Sequence, residues 1–479
     1  MTSPPAPLLD PSSDDFRQAG HRLIDWIADH FERIDETPVM ARVEPGDVAR
    51  QFRPAASEEG RSYDSLIREF ETAILPGVTH WNHPGFFAYF SVTGSKAGIL
   101  GELLSAALNI NGMIWKSCPA ATELETVVLA WLRKALGLPD DLFGIINDTA
   151  SINTFLALAA ARESLALDIR GQGTTGRTLP LLKIYCSEQA HSSVEKSALA
   201  LGLGSRGVTL IPAGETFEMS TEALAEAIAT DRAEGHLPCA IVATIGTTAT
   251  SSIDPLEEIA DIARKEGIWL HVDAAYAGSA MICPELRSLW KGVEHADSIV
   301  VNPHKWLFTP IDCSVLLTRK PEILAKTFSL VPDYLKTTDS AAVNYMDYGL
   351  QLGRRFRALK LWMVMEYYGL ERMRSVIRAH VEWGGRLAAL LGARPDVELL
   401  APQVLSVVVF RKIVRDRLGK IDDEASEMAS IELVERANAS GAVFLSTTRL
   451  RGVFAIRVAI GNGMTEWRHV ERILDFVEE

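Results

Sequence analysis

A carboxylate and an amine stand close behind two apolar runs in the middle of the sequence. Asp273 directly follows the run 268–272, and Lys305 comes shortly after the run 298–301. Both runs have the length and composition of buried strands. Because ligands of parallel sheets bind beyond the carboxyl ends of the strands, we expect both side chains at one pocket. An amine that forms a Schiff base and an acid beside a pyridine nitrogen are what pyridoxal phosphate (PLP) chemistry needs.

Each residue alone also has an ordinary explanation. Asp273 could cap a helix, and Lys305 could be an exposed charge in a loop. The two residues together, at successive strand ends, favour the functional interpretation.

Two further polar segments follow predicted strands. Thr149, Ala150 and Ser151 lie where a strand turns into a helix, and hydroxyls and free amides at a helix N-terminus can hold a phosphate. Serine and threonine cap most helices, so this signal is weak alone. His191 could stack on a flat cofactor and later handle a proton, although a lone histidine is more often structural.

The segment 202–207 matches the dinucleotide-binding pattern G-x-G-x-x-G. It follows a predicted helix and precedes a predicted strand, which is the reverse of the required context. We therefore interpret it as a helix stop and a loop.

The elements that must position these residues alternate between strand and helix. Helical stretches such as 154–165, 193–203, 221–230 and 256–265 separate several of the apolar runs. This alternation predicts an α/β fold with a largely parallel sheet that is covered by helices on both faces. The predicted strands are 144–146, 182–186, 208–211, 240–244, 268–272, 298–301 and 314–317.

The two ends of the chain differ from this middle part. Beyond about residue 357, helices and strands near 406–410 and 454–458 predict a smaller α+β lobe with a last helix near 466–477. At the start, Ser12 and Ser13 can cap a helix that has one apolar face. That face needs a partner, either another lobe or another subunit.

Composition excludes several classes of protein. The formal charge of −14 argues against a nucleic-acid partner, which would need clustered lysine and arginine. The five cysteines are scattered without a C-x-x-C pair, so we expect no metal site and no disulfide framework. Neither a signal peptide nor a membrane span is expected, and the predicted setting is cytoplasmic.

Together, these segments resemble the group II PLP-dependent amino-acid decarboxylases, most closely the aromatic-L-amino-acid decarboxylases. The resemblance runs from about residue 14 to the C-terminus. It implies a fold-type I PLP enzyme of the aspartate-aminotransferase type and a homodimer with its sites at the subunit interface. It also implies an N-terminal helical segment 1–90 that packs on the partner, a large PLP-binding domain 91–357 and a small domain 358–479. The segments that carry the resemblance are 80–90, 122–125, 189–193, 271–278, 302–306 and 353–357.

The resemblance implies roles for individual residues. Lys305 corresponds to the Schiff-base lysine, Asp273 to the partner of the pyridine nitrogen and His191 to the histidine that stacks on the ring. Tyr334 matches the tyrosine of a mobile catalytic loop, which protonates the substrate's α-carbon after CO2 leaves. The remaining implied cofactor contacts are Thr149, Ala150, Ser151, Thr247, Ala275, Asn302, His304 and, from the neighbouring subunit, Gly353. The implied substrate contacts are Trp81, Phe90, Met113, His191 and Gly353.

The implied reaction is decarboxylation of an aromatic L-amino acid (the Trp, Tyr, Phe or Dopa type) to its amine. Three alternatives are an aldehyde synthase on the same scaffold, a decarboxylase of a non-aromatic amino acid and a catalytically silent PLP-fold partner protein. The presence of Tyr334 and His191 favours simple decarboxylation over the synthase, and intact Lys305 and Asp273 argue against a silent protein. The chain departs from the family at Asp148, at Met113 and in the segment 91–95.

Overall fold

The structure, a computed structural model, describes residues 12–330 and 342–478. Its helices are α1 (Ser13–Arg33), α2 (Tyr63–Glu69), α3 (Lys96–Leu108), α4 (Pro119–Leu136), α5 (Ala150–Ser164), α6 (Ile169–Gln172), α7 (Ser193–Ala200), α8 (Thr221–Ala233), α9 (Leu256–Glu266), α10 (Pro303–Trp306), α11 (Pro321–Phe328), α12 (Arg357–Gly392), α13 (Asp423–Ser440) and α14 (Trp467–Glu478). Its strands are β1 (Phe143–Asn147), β2 (Leu182–Ser187), β3 (Val208–Ile211), β4 (Leu237–Thr244), β5 (Trp269–Asp273), β6 (Ser298–Val301), β7 (Ser314–Thr318), β8 (Val397–Leu399), β9 (Val407–Lys412), β10 (Val414–Arg415), β11 (Ile421–Asp422), β12 (Ser446–Leu450) and β13 (Val453–Ala459).

The central sheet has seven strands in the order β1-β7-β6-β5-β4-β2-β3. All pairings between β6 and β3 are parallel, whereas β7 runs antiparallel to both of its neighbours. The predicted largely parallel sheet is thus confirmed, with β7 as the exception.

Both faces of this sheet are buried, which explains the continuous apolar runs in its strands. Successive residues contribute to opposite sides, as Ile145 and Ile146 of β1 or Ile241 and Val242 of β4 show. Helices α5, α7 and α11 cover one face, and α4, α8, α9 and α12 cover the other.

The smaller C-terminal sheet has the order β12-β13-β9-β8 and is antiparallel throughout. It packs with α12, α13 and α14 around a core of its own. The predicted α+β lobe is present, but its first two helices form one merged helix, α12, with a kink at Gly369 (φ 67°).

The N-terminal segment joins this C-terminal lobe. Ser12 caps α1 by accepting from the Asp15 amide, as its sequence predicts. Asp35 then bonds to His469 and Arg472 of α14, each at 3.2 Å. The predicted loop at 202–207 is confirmed, because it holds only a turn and a short 3-10 segment before β3.

Within residues 12–330 and 342–478, no helix combines the length and the apolar character needed to cross a membrane.

Glu125 and Arg354 form a buried ion pair near the end of β1. Glu125 of α4 accepts from both terminal nitrogens of Arg354, at 2.7 and 3.1 Å, and from the Ile146 amide at 2.9 Å. The Arg354 guanidinium also donates to the Ile146 carbonyl at 2.7 Å. Both charged side chains are buried. One carboxylate therefore connects α4, β1 and the segment that precedes α12.

We expect Glu125→Ala to lower the free energy of unfolding by about 3–5 kcal/mol, because it leaves the guanidinium of Arg354 buried without its counter-charge. Urea denaturation followed by circular dichroism measures this loss. Glu123→Ala, which removes an exposed carboxylate from the same helix, is the matched control and should change stability by less than about 1 kcal/mol. Equal losses in the two variants would contradict this account of the ion pair.

Candidate active site

The carboxyl ends of β4, β5 and β6 meet the N-terminus of α5 at a cavity of about 210 Å³. This is where a parallel sheet is expected to bind its ligand. The cavity brings together most of the site residues that were predicted from the sequence. Those that line it are Phe90, Thr149, Ala150, Ser151, His191, Asp273, Ala275, Asn302, His304 and Lys305.

Lys305 and Asp273 supply an amine and a carboxylate to this cavity. Asp273 is the last residue of β5, and its Oδ1 accepts from the Ala275 amide at 3.1 Å. Burial lowers the pKa of the Lys305 ammonium, an effect that Asp273 opposes and the nearby Arg457 guanidinium reinforces. A lowered pKa makes the neutral, nucleophilic amine more accessible.

His191 is held as a neutral donor. Its Nδ1 accepts from the Ser193 amide at 3.2 Å and lies 2.9 Å from the Ser193 hydroxyl. Since Nδ1 is an acceptor, the ring proton of the neutral form is on Nε2. Burial lowers the pKa of His191, with Asp273 opposing and Lys305 adding to the shift.

Neutral donors gather at the end of the cavity near α5. Thr149 caps this helix, so the amides of Ala150 and Ser151 lie in its first turn, where no helical carbonyl is available to them. His304 accepts from the Cys313 amide through Nδ1 at 2.9 Å, which leaves its Nε2 proton for the cavity. Burial lowers the pKa of His304 to about 3, so this ring is uncharged at neutral pH.

The carboxylate of Asp148, one of the departures from the family, is turned toward protein partners. Its Oδ1 accepts from the Thr149 amide at 2.6 Å, and its Oδ2 accepts from Gln351 at 3.3 Å. Asp148 is also absent from the cavity wall. The Asp148 carboxylate is therefore hydrogen-bonded within the protein, and the neighbouring donors of α5 remain available to an anion.

Stacked aromatic rings support one side of the cavity. The Phe90 ring lies 3.8 Å from the Tyr276 ring, which in turn stacks on Trp306 at 4.5 Å. Lys305 Nζ lies 5.4 Å from the centre of the Phe90 ring. Ala275 also lines the cavity, and its methyl group leaves room for a flat ligand.

Four predicted contacts within the described residues lie away from the cavity wall, and two of them, Thr247 and Trp81, contact other side chains of their own chain. Thr247 is buried, and its hydroxyl bonds to those of Thr250 and Ser252 at 3.1 and 2.8 Å. Its neighbour Thr248 lines the cavity instead, after a turn in which Gly246 has a φ of +85°. Trp81 packs against Phe86 with a ring separation of 4.5 Å and is also outside the wall.

Met113 and Gly353 lie outside the cavity wall of their own chain; Gly353 is exposed, and Met113 is partly buried against Ile114 and Met346. Their segments are joined by a bond from the Gly112 amide to the Arg354 carbonyl at 2.9 Å. Tyr334 lies outside the residues that the structure describes.

Several residues at the site were missed from the sequence. Thr244, Gly246, Thr248 and Tyr276 line the cavity, and strand-end position is the signal that could have identified the first three. Arg457 is buried beside the cavity, with its guanidinium 4.6 Å from the centre of the Phe90 ring.

Arg457 is unusual because none of the acids in the described part of the chain forms an ion pair with it. It donates to the carbonyls of Tyr89 and Ala249, while its Nη2 has no partner among residues 12–330 and 342–478. Burial lowers its pKa to about 10. A cation inside the apolar strand β13 was the available signal in the sequence.

The residues of the cavity fit PLP. The amides of α5, with Asn302 and His304, suit the phosphate, whereas Asp273 suits the pyridine nitrogen and Lys305 the aldehyde. A ligand that complements these residues carries an anionic group and a basic ring nitrogen, and PLP has both.

Comparisons with known proteins agree with this fit. Residues 45–413 match the pyridoxal-dependent decarboxylase conserved domain. Tryptophan decarboxylase 2 of Oryza sativa subsp. japonica is 40% identical over 470 residues, which cover 96% of this chain and 93% of that protein. A phenylacetaldehyde synthase of Arabidopsis thaliana is 38% identical, with coverage of 98% and 96%.

The fold agrees equally well with a solved structure. The crystal structure of Oryza sativa TDC with PLP and tryptamine has a TM-score of 0.93 and 34% identity, and the match covers 98% of each chain. The chain belongs to the pyridoxal-dependent decarboxylase family.

Proposed function

We propose that this protein is a PLP-dependent carboxy-lyase that converts an aromatic L-amino acid to its amine and CO2. The observation that carries this proposal is the meeting of Lys305, Asp273, His191 and the α5 N-terminus at one cavity. Relatives that act on tryptophan and tyrosine, at 40% and 38% identity, support an aromatic substrate.

Bound PLP accepts into its ring the electron pair that the departing carboxyl group leaves on the substrate. The chain's own residues prepare this event. Lys305 Nζ would hold the aldehyde carbon of PLP in the absence of substrate. The Asp273 carboxylate would keep a proton on the ring nitrogen, and His191 would offer its Nε2 proton to ligands in the cavity.

At the substrate side, Phe90 supplies an aromatic surface, and the guanidinium of Arg457 lies 4.6 Å from the centre of its ring. That charge favours an anionic ligand at this side of the cavity. We propose that Tyr334 then returns a proton to the substrate's α-carbon, a role that rests on the family resemblance.

The alternative outcome on this scaffold is an aldehyde with peroxide and ammonia. Phenylacetaldehyde synthases, at 38% identity, are nearly as similar to this chain as the decarboxylases are. We favour the amine because both Tyr334 and His191 are present. Loss of either residue accompanies the synthase reaction in the family.

We further propose that the protein is a homodimer whose sites include residues of both subunits. Helix α3 exposes Leu100, Leu103, Leu104 and Leu108, which form one apolar face. Phe16, Leu23 and Ile24 of α1 are likewise exposed. Gly353 is exposed and Met113 partly exposed, so both can contribute to the partner's cavity.

We place this dimer in the cytoplasm. All five cysteines are unpaired, four of them are buried, and a reducing compartment preserves such thiols.

We expect Lys305→Ala to abolish the borohydride-trapped adduct with PLP and to lower CO2 release at least about 1,000-fold, because Lys305 is the only lysine of residues 12–330 and 342–478 that lines the cavity. Mass spectrometry of the reduced protein locates the adduct. Lys291→Ala, which removes an exposed lysine, serves as the control and should keep both properties. A trapped adduct in Lys305→Ala would refute the assignment of this lysine.

A panel of amino acids tests the reaction itself. With tryptophan, tyrosine, phenylalanine or Dopa we expect CO2 and amine in equal amounts and little peroxide, whereas glutamate and lysine should give no CO2. Simultaneous measurement of CO2, amine and peroxide distinguishes the outcomes. Absence of CO2 with every aromatic substrate would rule out the proposed class, and peroxide equal to CO2 would identify a synthase.

Leu104→Asp should produce a monomer with little CO2 release, because a buried charge at the proposed interface is not compensated. Sedimentation velocity measures the assembly. Leu418→Asp, at a hairpin tip where the leucine is 92% exposed, is the matched control and should remain dimeric and active. A fully active monomer would contradict the shared-site proposal.

A further inference from the structure

A buried chain of polar side chains runs from β1 to the cavity. Asn147 Nδ2 donates to Asn153 Oδ1 at 2.7 Å, and Asn153 Nδ2 donates to Ser314 Oγ at 2.8 Å. Ser314 Oγ then donates to Asn302 Oδ1 at 2.5 Å. All four side chains are buried, and Asn302 is the member that lines the cavity.

The three hydrogen bonds all run in the same direction, with each side chain donating to the next from Asn147 to Asn302. Ser314 has a single hydroxyl proton, and its oxygen already accepts from Asn153. That proton is donated to Asn302 Oδ1, so the oxygen of the Asn302 amide is the atom that faces Ser314. The Nδ2 group of Asn302 is left for the cavity, and it has no partner within the described part of the chain.

We propose that Asn153 and Ser314 are positioning residues that make Asn302 present its N–H group, and not its oxygen, to the cofactor's phosphate. This inference rests on the proposed function, since it requires PLP in the cavity. The register of the sheet supports it, because Asn147 and Ser314 are paired residues of β1 and β7.

The orientation matters because the two ends of an amide have opposite polarity. A phosphate accepts hydrogen bonds and carries negative charge, so an N–H group stabilises it and a carbonyl oxygen repels it. The two orientations of Asn302 have nearly the same shape. The hydrogen-bond chain, and not steric fit, therefore decides which end meets the phosphate.

Asn153→Asp tests the direction of the chain. A carboxylate at this position only accepts, so it would take protons from both Asn147 and Ser314. The Ser314 oxygen would then accept from Asn302 Nδ2, which turns the oxygen of Asn302 toward the cavity. We expect the affinity of the apoenzyme for PLP to fall about 10- to 100-fold, since a charged hydrogen bond is replaced by a repulsion.

Pyridoxal, which lacks the phosphate, is the discriminating ligand. Its affinity should be nearly the same in wild type and in Asn153→Asp, so the ratio of PLP to pyridoxal affinity falls. General damage to the fold would weaken both ligands together. Thr154→Val, at the next residue of α5, removes a buried hydroxyl that has no partner among the described residues and should leave the ratio unchanged.

Ser314→Ala provides a second test that adds no charge. This change removes the hydroxyl that donates to Asn302. We expect the ratio of PLP to pyridoxal affinity to fall about 3- to 10-fold, which is less than in Asn153→Asp. If Asn153→Asp does not fold, this variant decides the question.

Unchanged ratios in the folded variants, with normal PLP binding by the wild type, would overturn this inference alone. A wild-type protein that binds neither PLP nor pyridoxal would overturn the proposed function as well.

Discussion

The parallel pairing of β5 with β6 is the constraint on which the site depends. Its register places Asp273 opposite Val300, and the main-chain bonding continues past the strand ends. The Ala274 amide donates to the Val300 carbonyl and the Asn302 amide donates to the Ala275 carbonyl, each at 3.1 Å. The residues that follow both strands are therefore held by backbone hydrogen bonds, and they do not depend on the packing of a surface loop.

The electrostatics of the cavity follow from this rigid frame. Burial keeps His304 neutral, and the amides of α5 are donors without charge, so the phosphate end is polar but not cationic. The guanidinium of Arg457 lies on the side of Phe90, where it adds a positive charge. The phosphate end can therefore bind its ligand through neutral donors, and the Phe90 side offers a cation to a carboxylate.

The sequence predicted the site best where function follows strand ends. Asp273 and Asn302 lie directly beyond apolar runs, and Lys305 follows on the short helix α10, so the pocket could be inferred without coordinates. Thr247 and Thr248 could not be distinguished, because the turn at Gly246 decides which of them faces the cavity. Arg457 belongs to the other sheet, and only tertiary packing brings it to Phe90. Similarly, no pattern in the sequence shows that Asn153 and Ser314 touch.

The exposed position of Gly353 has an evolutionary consequence. In the proposed dimer this residue contributes to the partner's substrate wall, yet in its own chain it is separate from the cavity wall and from the buried network that ends at Asn302. Substitutions at such exposed positions alter the free energy of folding little. New substrate preferences can therefore arise by single substitutions there. The residues that would bind the cofactor remain unchanged, and each variant along the way still folds.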